Sequence, residues 1–272
     1  MSRKYFLILG LFLAAGFLFL NINATNAATY TWTGGGDRVS WRDPANWNIG
    51  NGAMTYPGAS TTDSVIIGMQ TSGATGGSNV VIRATSTTDG STLWLDSVTI
   101  GVASQGGPNV IVGNGVTFSA STSVTLVGTS TLRLGDATWG SGNIKFANGG
   151  TNANPFRFNS TSTPSSNFFA ATGTVTFTGT GGTGSQIVIA TTTYYNLTLT
   201  PTSTAAISNY KFGAGGFTCS TTSGCTATTT VSNVFTINGY ANANFNNTAV
   251  DLSGSGTVFE KANGTFTANG SL

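Results

Sequence analysis

No histidine occurs anywhere in the 272 residues. That absence removes the Ser-His-Asp and Cys-His nucleophile systems and the usual zinc sites. Charge is scarce as well: Asp, Glu, Lys and Arg together make up 7% of the chain, against about a quarter in an ordinary soluble domain. Only two cysteines are present, Cys219 and Cys225.

The first twenty residues hold the one long apolar run. Ser2-Arg3-Lys4 precedes an apolar stretch from Tyr5 to Leu20, and the polar NINATNAA follows. A basic start, an apolar middle and small residues at the cut make a secretory signal peptide. Thr25 and Ala27 sit where a signal peptidase requires small residues, so cleavage is expected after Ala27. The mature chain is then formally neutral, with eight Lys and Arg against eight Asp and Glu. Its cations are single and scattered, so no stripe exists to hold a phosphate backbone and nucleic acid is not an expected partner.

What fills the mature chain is Thr, Ser, Gly and Asn interleaved with Val, Ile, Leu and Phe. Segments such as SVIIG (64–68), NVVIRA (79–84), TLWLDSVTIG (92–101), NVIVGNGVTFSA (109–120) and SVTLVGTSTLRLGD (123–136) place apolar residues two apart between turn formers, which is the strand signature. No stretch of the mature chain keeps a 3.6-residue apolar period over three turns, so long helices are not expected. Two all-β architectures suit such strands: a right-handed parallel β-helix or tandem β-sandwich domains. The scarcity of charge favours the first. Coils of a solenoid stack equivalent side chains about 4.8 Å apart, where two like charges repel by about 0.9 kcal/mol even in water. Units such as GTVTFTGTGGTG (173–184) and GTVFEKANGTFTANG (256–270) resemble each other, and coils of about twenty to twenty-five residues are expected from Asp63 onward.

The stretch TWTGGGDRVSWRDPANW holds three of the five tryptophans, Trp32, Trp41 and Trp47. Gly34 to Gly36 predict a tight reversal with positive φ, and Asp43 before Pro44 predicts an N-cap and a single helical turn. With Tyr56-Pro57-Gly58 and Asp63-Ser64-Val65-Ile66-Ile67 after it, this stretch resembles the opening segment of secreted bacterial parallel β-helix repeat proteins, the adhesin-like and autotransporter-passenger-like surface proteins. The resemblance implies a large extracellular protein. The domain organisation expected is a signal peptide over 1–27, a Trp- and Gly-rich N-terminal cap over 28–62, and β-solenoid repeats over 63–272. A solenoid needs its first coil closed against water, and three large rings folded over that coil would do it; a flat platform for sugar is the competing use.

Carboxylates of the mature chain are Asp37, Asp43, Asp63, Asp89, Asp96, Asp136, Asp251 and Glu260. Glycoside cleavage needs two of them facing one bond. Asp89 and Asp96 could meet across a turn with Arg83 or Arg133 beside them, but their spacing reads as solvated turn residues. Asp37, Asp43 and Asp63 lack the dense alternating ligands of a calcium loop. No catalytic residue, metal or cofactor is therefore expected. Cys219 and Cys225 are expected to pair in an exported protein and pin one loop.

The function expected is that of a secreted or cell-surface structural or adhesive solenoid. A carbohydrate-binding module using Trp32, Trp41 and Trp47 is the alternative, and a polysaccharide-degrading enzyme the second. Expected partners are extracellular glycans or host and cell-surface molecules. GTVFEKANGTFTANGSL carries no cover for a last coil, so end-to-end self-association, or a continuation in a longer protein, is expected as well.

Overall fold

The computed structural model describes residues 27–50, 55–58, 61–68, 79–83, 92–102, 107–148, 153–158, 164–180, 186–202, 208–213, 228–245, 249–253, 259–261 and 265–267. The apolar leader, Asp89, Cys219 and Cys225 lie outside the described residues.

The chain is all-β. Its strands begin with β1 (Thr29–Trp32), β2 (Trp47–Asn48), β3 (Ser64–Ile67), β4 (Asn79–Ile82) and β5 (Thr92–Ile100). Next come β6 (Asn109–Val112), β7 (Thr117–Leu126), β8 (Thr131–Arg133), β9 (Asn143–Phe146) and β10 (Phe156–Phe158). A four-residue helix, α1 (Pro164–Asn167), leads into β11 (Phe168–Phe169), β12 (Thr174–Phe177), β13 (Gln186–Ala190), β14 (Thr193–Leu199) and β15 (Ser208–Gly213). The last are β16 (Thr228–Ile237), β17 (Ala241–Asn244), β18 (Ala249–Leu252), β19 (Phe259–Lys261) and β20 (Thr265–Thr267). Alternation of apolar and polar residues makes these strands: β12, TVTF, buries Val175 and Phe177 while Thr174 and Thr176 face outward.

Successive strands go to different sheets. One sheet runs β18-β16-β14-β12-β9-β7-β5-β3-β1-β2, with β10 also on β7 and β19 also on β16. A second runs β11-β8-β6-β4 and a third β13-β15-β17-β20. Among the described residues every ladder is parallel except that of β1 with β2. Tandem sandwiches, the second architecture expected from sequence, are built of antiparallel sheets and do not fit these ladders.

The long strands divide into two halves. β7 pairs its first half, Thr117 to Ala120, with β9 and its second half, Val124 to Leu126, with β10. Between the halves the register slips: Leu95 of β5 faces Ala120, yet Ser97 faces Ser123. Asp96 sits at that bulge, where its carboxylate accepts from the hydroxyls of Thr122 (2.5 Å), Ser121 (3.3 Å) and Ser64 (3.5 Å). The steps between partnered strands are less regular than the expected twenty to twenty-five residues. Thr174 pairs with Asn196, but Leu197 pairs with Phe235, thirty-eight positions on. The ladder of β14 with β16 is parallel across that longer step.

Inward side chains form one continuous core. Its centre is aromatic: Phe146 lies 4.9 Å from Phe177 in a stacked pair and 5.2 Å from Phe156. Buried Tyr194 and Tyr210 place their hydroxyls on backbone carbonyls, Tyr194 on Ala190 at 2.7 Å and Tyr210 on Gly179 at 2.9 Å. Burial raises the pKa of both phenols, so they act as permanent hydrogen-bond donors.

Candidate functional site

The N-terminal edge is the most elaborate part of the molecule. It is organised by Asn46, a fully buried side chain. Its Oδ1 accepts the backbone N–H of Gly36 (2.9 Å) and of Arg38 (3.1 Å), while its Nδ2 donates to the Asp37 carboxylate (2.8 Å) and to the Ser40 carbonyl (3.0 Å). Four bonds from one amide tie together the loop between Gly36 and Asn46. Asp37 adds its own: its Oδ1 accepts from the N–H of Val39 and of Ser40 at 2.9 and 2.7 Å. Burial works to raise the Asp37 pKa, but hydrogen bonds from the Ser40 hydroxyl, these two backbone groups and Asn46 outweigh it and hold the carboxyl well below the usual range.

The helical turn expected at DPANW is present as a 3-10 turn over Pro44–Asn46, with Asp43 as N-cap accepting from the N–H of Ala45 at 3.0 Å. The glycine run departs from expectation. Only Gly34 has a positive φ, 63°. Gly35 and Gly36 are required by crowding instead: a Cβ on Gly36 would stand 2.1 Å from the Asp43 carboxylate, and one on Gly35 2.8 Å from the Ala45 carbonyl. Left-handed backbone occurs next at Arg38, φ 64°.

This loop carries the three tryptophans inward. Trp41 is 1% exposed, Trp32 3% and Trp47 6%. Trp47 stands edge-on to Trp32 at 4.9 Å and to Trp41 at 4.7 Å, and Trp41 in turn is edge-on to Phe118 at 5.8 Å. Trp41 donates its indole N–H to the Pro57 carbonyl (2.9 Å) and Trp47 to the Trp41 carbonyl (2.6 Å). A sugar platform presents flat faces to solvent; here the faces meet one another and the core.

The same loop covers sheet edges. β2 lies antiparallel on β1 with Trp32 opposite Trp47. Ser40 forms a parallel bridge to Val81 of β4, fixed by Trp41 N–H to the Val81 carbonyl and Val81 N–H to the Val39 carbonyl. One sheet therefore starts against a two-residue strand and the other against a single bridge, both too short to template further pairing.

Asp37 and Asp43 share the N-terminal loop, whereas Asp96, Asp136 and Asp251 belong to other parts of the chain. Asp43 takes the N–H groups of Asp37 and Ala45, Asp96 takes three hydroxyls, and Asp136 accepts the N–H of Thr138 and of Trp139, both at 2.8 Å. Buried Asp63 lies near Tyr30 and raises its pKa, after the larger effect of burial. Asp251 is exposed on β18. Among the described residues no group of three or more Asp, Glu, Cys or His converges as a metal site. Arg83 lies over the Trp139 ring at 5.1 Å and Arg133 over Phe169 at 4.2 Å, each away from Asp96.

One cleft, of about 530 Å³, opens on the side of the molecule, bordered by Arg133, Asp136, Phe169, Thr193, Tyr195 and Ser232. Nothing in the sequence spacing brings these six together. The large exposed aromatics among the described residues are Trp94 and Tyr240, at 40% and 46%; Lys145 extends over Trp94 at 5.5 Å.

No family model matches the chain, and comparison with curated proteins and with solved structures returned no match.

Proposed function

We propose that the chain is a secreted or cell-surface structural and adhesive protein without catalytic activity, built as a right-handed parallel β-helix behind an N-terminal cap. The observation that carries this reading is the sealed first edge. A four-bond asparagine hub, three buried indoles, the short strand β2 and the Ser40 bridge stand where a stack of parallel strands would otherwise begin open. The division of β7 between two partners supports a coil that turns a corner within one strand, and the other two sheets supply further faces. Carboxylates that are engaged by backbone amides or neighbouring hydroxyls, as Asp37, Asp43, Asp96 and Asp136 are, favour a scaffold over a hydrolase or lyase. At the other end β18, β19 and β20 each have a partner on one side only among the described residues, which supports end-to-end self-association.

Three measurements test the reading. Mass spectrometry of exported protein should find a start at Ala28 or Thr29, whereas retention of Tyr5 to Leu20 in a membrane fraction would count against export. Purified mature protein should adhere to extracellular glycans or cell surfaces; failure on every surface tried would remove the adhesive part. Analytical ultracentrifugation should detect association that grows with concentration, and a stable monomer at high concentration would remove the open edge.

A further inference from the structure

We propose that the cleft beside β11 is a binding site for one neutral sugar unit of a polysaccharide. This deepens the adhesive reading by naming where and what the protein would hold. On the face away from the main core the second sheet carries a column in register, Val81, Ile111, Arg133 and Phe169, of which Val81 and Ile111 are buried. β11 ends that sheet, so beyond Phe169 the column has no further rung among the described residues. The cleft opens there. One face of the Phe169 ring is covered by the Arg133 guanidinium, 4.2 Å from its centre, and a flat ring of sugar size would continue the column on the other side.

Two backbone irregularities border this opening. Ala171 has φ 47°, a left-handed conformation strained for a residue with a Cβ, and it lines the cleft. Opposite it, β14 and β16 slip register: Tyr194 faces Val231 while Asn196 faces Val234, so Tyr195 stands against a bulge containing Ser232 and Asn233. Bulges re-aim side chains and concentrate beside binding sites. Tyr195 and Ser232 are both lining residues.

The chemistry selects the ligand. Arg133 offers a fork of N–H donors, and no acceptor meets it among the described residues. Asp136 uses one carboxylate oxygen on Thr138 and Trp139, leaving the other without a partner among them. One cation and one anion cancel, so the cleft gives no field that would draw a charged ligand. A donor beside an acceptor matches hydroxyl groups, which are both; Thr193 and Ser232 add two more of the same kind, and the aromatic surfaces of Phe169 and Tyr195 suit the C–H face of a pyranose. A volume of about 530 Å³ falls inside the range of small-molecule sites and is enough for one or two sugar rings.

Affinity electrophoresis of the mature protein through gels containing single polysaccharides tests this. The panel holds neutral glucan, galactan, mannan and xylan, and the anionic polygalacturonate and alginate. At least one neutral polymer is expected to retard the protein, with affinity falling about tenfold or more in Arg133→Met and in Asp136→Asn. Both substitutions keep local packing: Met retains a stem over Phe169, and Asn retains an oxygen for the Thr138 and Trp139 amides. Should either melt far below the parent, Thr193→Arg, at an exposed position on the rim, fills the mouth and must abolish retardation. No retardation by any neutral polymer overturns the proposal, as does retardation by polyuronates alone. Equal retardation of parent and variants also overturns it, while leaving the adhesive reading standing with its sugar bound elsewhere.

Discussion

Replacing Trp41 by Ala gives the sharpest check on the N-terminal edge. The ring is 1% exposed and lies between Trp47 at 4.7 Å and Phe118 at 5.8 Å, so it joins the cap loop directly to the core of β7. Truncating a fully buried large aromatic costs about 3–5 kcal/mol, within which the Pro57 carbonyl loses its indole donor. For a domain of this size each kcal/mol lowers the melting temperature by about 2–4 °C, so a fall of about 6–20 °C is expected by calorimetry. The loss can also appear as local opening of the N-terminal loop ahead of the rest. Hydrogen exchange separates the two outcomes, because the amides of Trp41 and Val81 bond across the cap to the Val81 and Val39 carbonyls and should lose protection first. Trp94→Ala, at a 40% exposed position, serves as control and should cost under about 1 kcal/mol. Melting of Trp41→Ala within a degree or two of the parent, with both amides still protected, would refute the reasoning; lost glycan retention at unchanged stability would return the tryptophans to sugar binding.

Asn46→Ala removes four hydrogen bonds at once and should cost about 2–4 kcal/mol in urea titration; under about 1 kcal/mol would mean that the loop is held by the tryptophans alone. Gly36→Ala places a Cβ against the Asp43 carboxylate and should destabilise by about 1–3 kcal/mol, read by the same titration. Asp37 has a lowered folded pKa, so its contribution is complete above the ordinary carboxylate value near pH 4 and fades as pH falls through the lowered one. Asp37→Asn should therefore be less stable than the parent at neutral pH, with the gap closing in strong acid; a gap independent of pH would contradict the assignment.

What was legible in the sequence is what depends on neighbours along the chain. Alternation in TVTF or NIKF marks strands because burial follows a two-residue period, and Asp43-Pro44 marks a turn because capping is local. The rest depends on partners far away. Asn46 carries no periodic signal, yet is the centre of the cap. Gly36 looked like a residue of unusual φ, whereas its need is the space taken by Asp43, seven positions on. The antiparallel β2 is two residues long, too short for any pattern. The cleft draws on four strand regions, and its defining features, the Ala171 backbone and the Tyr195 bulge, arise from ladders that end or slip, which single-strand periodicity does not register.

The low charge of the chain has its physical reason in the ladders themselves. Parallel in-register strands set like positions side by side at about 4.8 Å, and the charged residues of the described ladders are flanked by neutral partners. Lys145 lies between Ser119 and Thr176, Lys211 between Val188 and Asn244, and Arg133 between Ile111 and Phe169. Arg157 pairs with Thr125, Asp251 with Thr230 and Glu260 with Thr236. A chain with ordinary charge content would place many like pairs in such columns, each repelling by about 0.9 kcal/mol at the dielectric of water and by more near protein. A handful would consume the margin of about 5–15 kcal/mol on which a fold rests. Amides gain from the same geometry: Asn109 donates to Asn79 at 3.2 Å, Asn242 to Asn209 at 2.9 Å and Asn233 to Asn196 at 2.8 Å. Thr and Asn are therefore abundant for the reason that Lys and Glu are rare, since each can repeat beside its own kind. Arg83, Arg133 and Lys145 lie over rings, those of Trp139, Phe169 and Trp94, so at these three positions an aromatic face takes over the part that a carboxylate plays in most proteins.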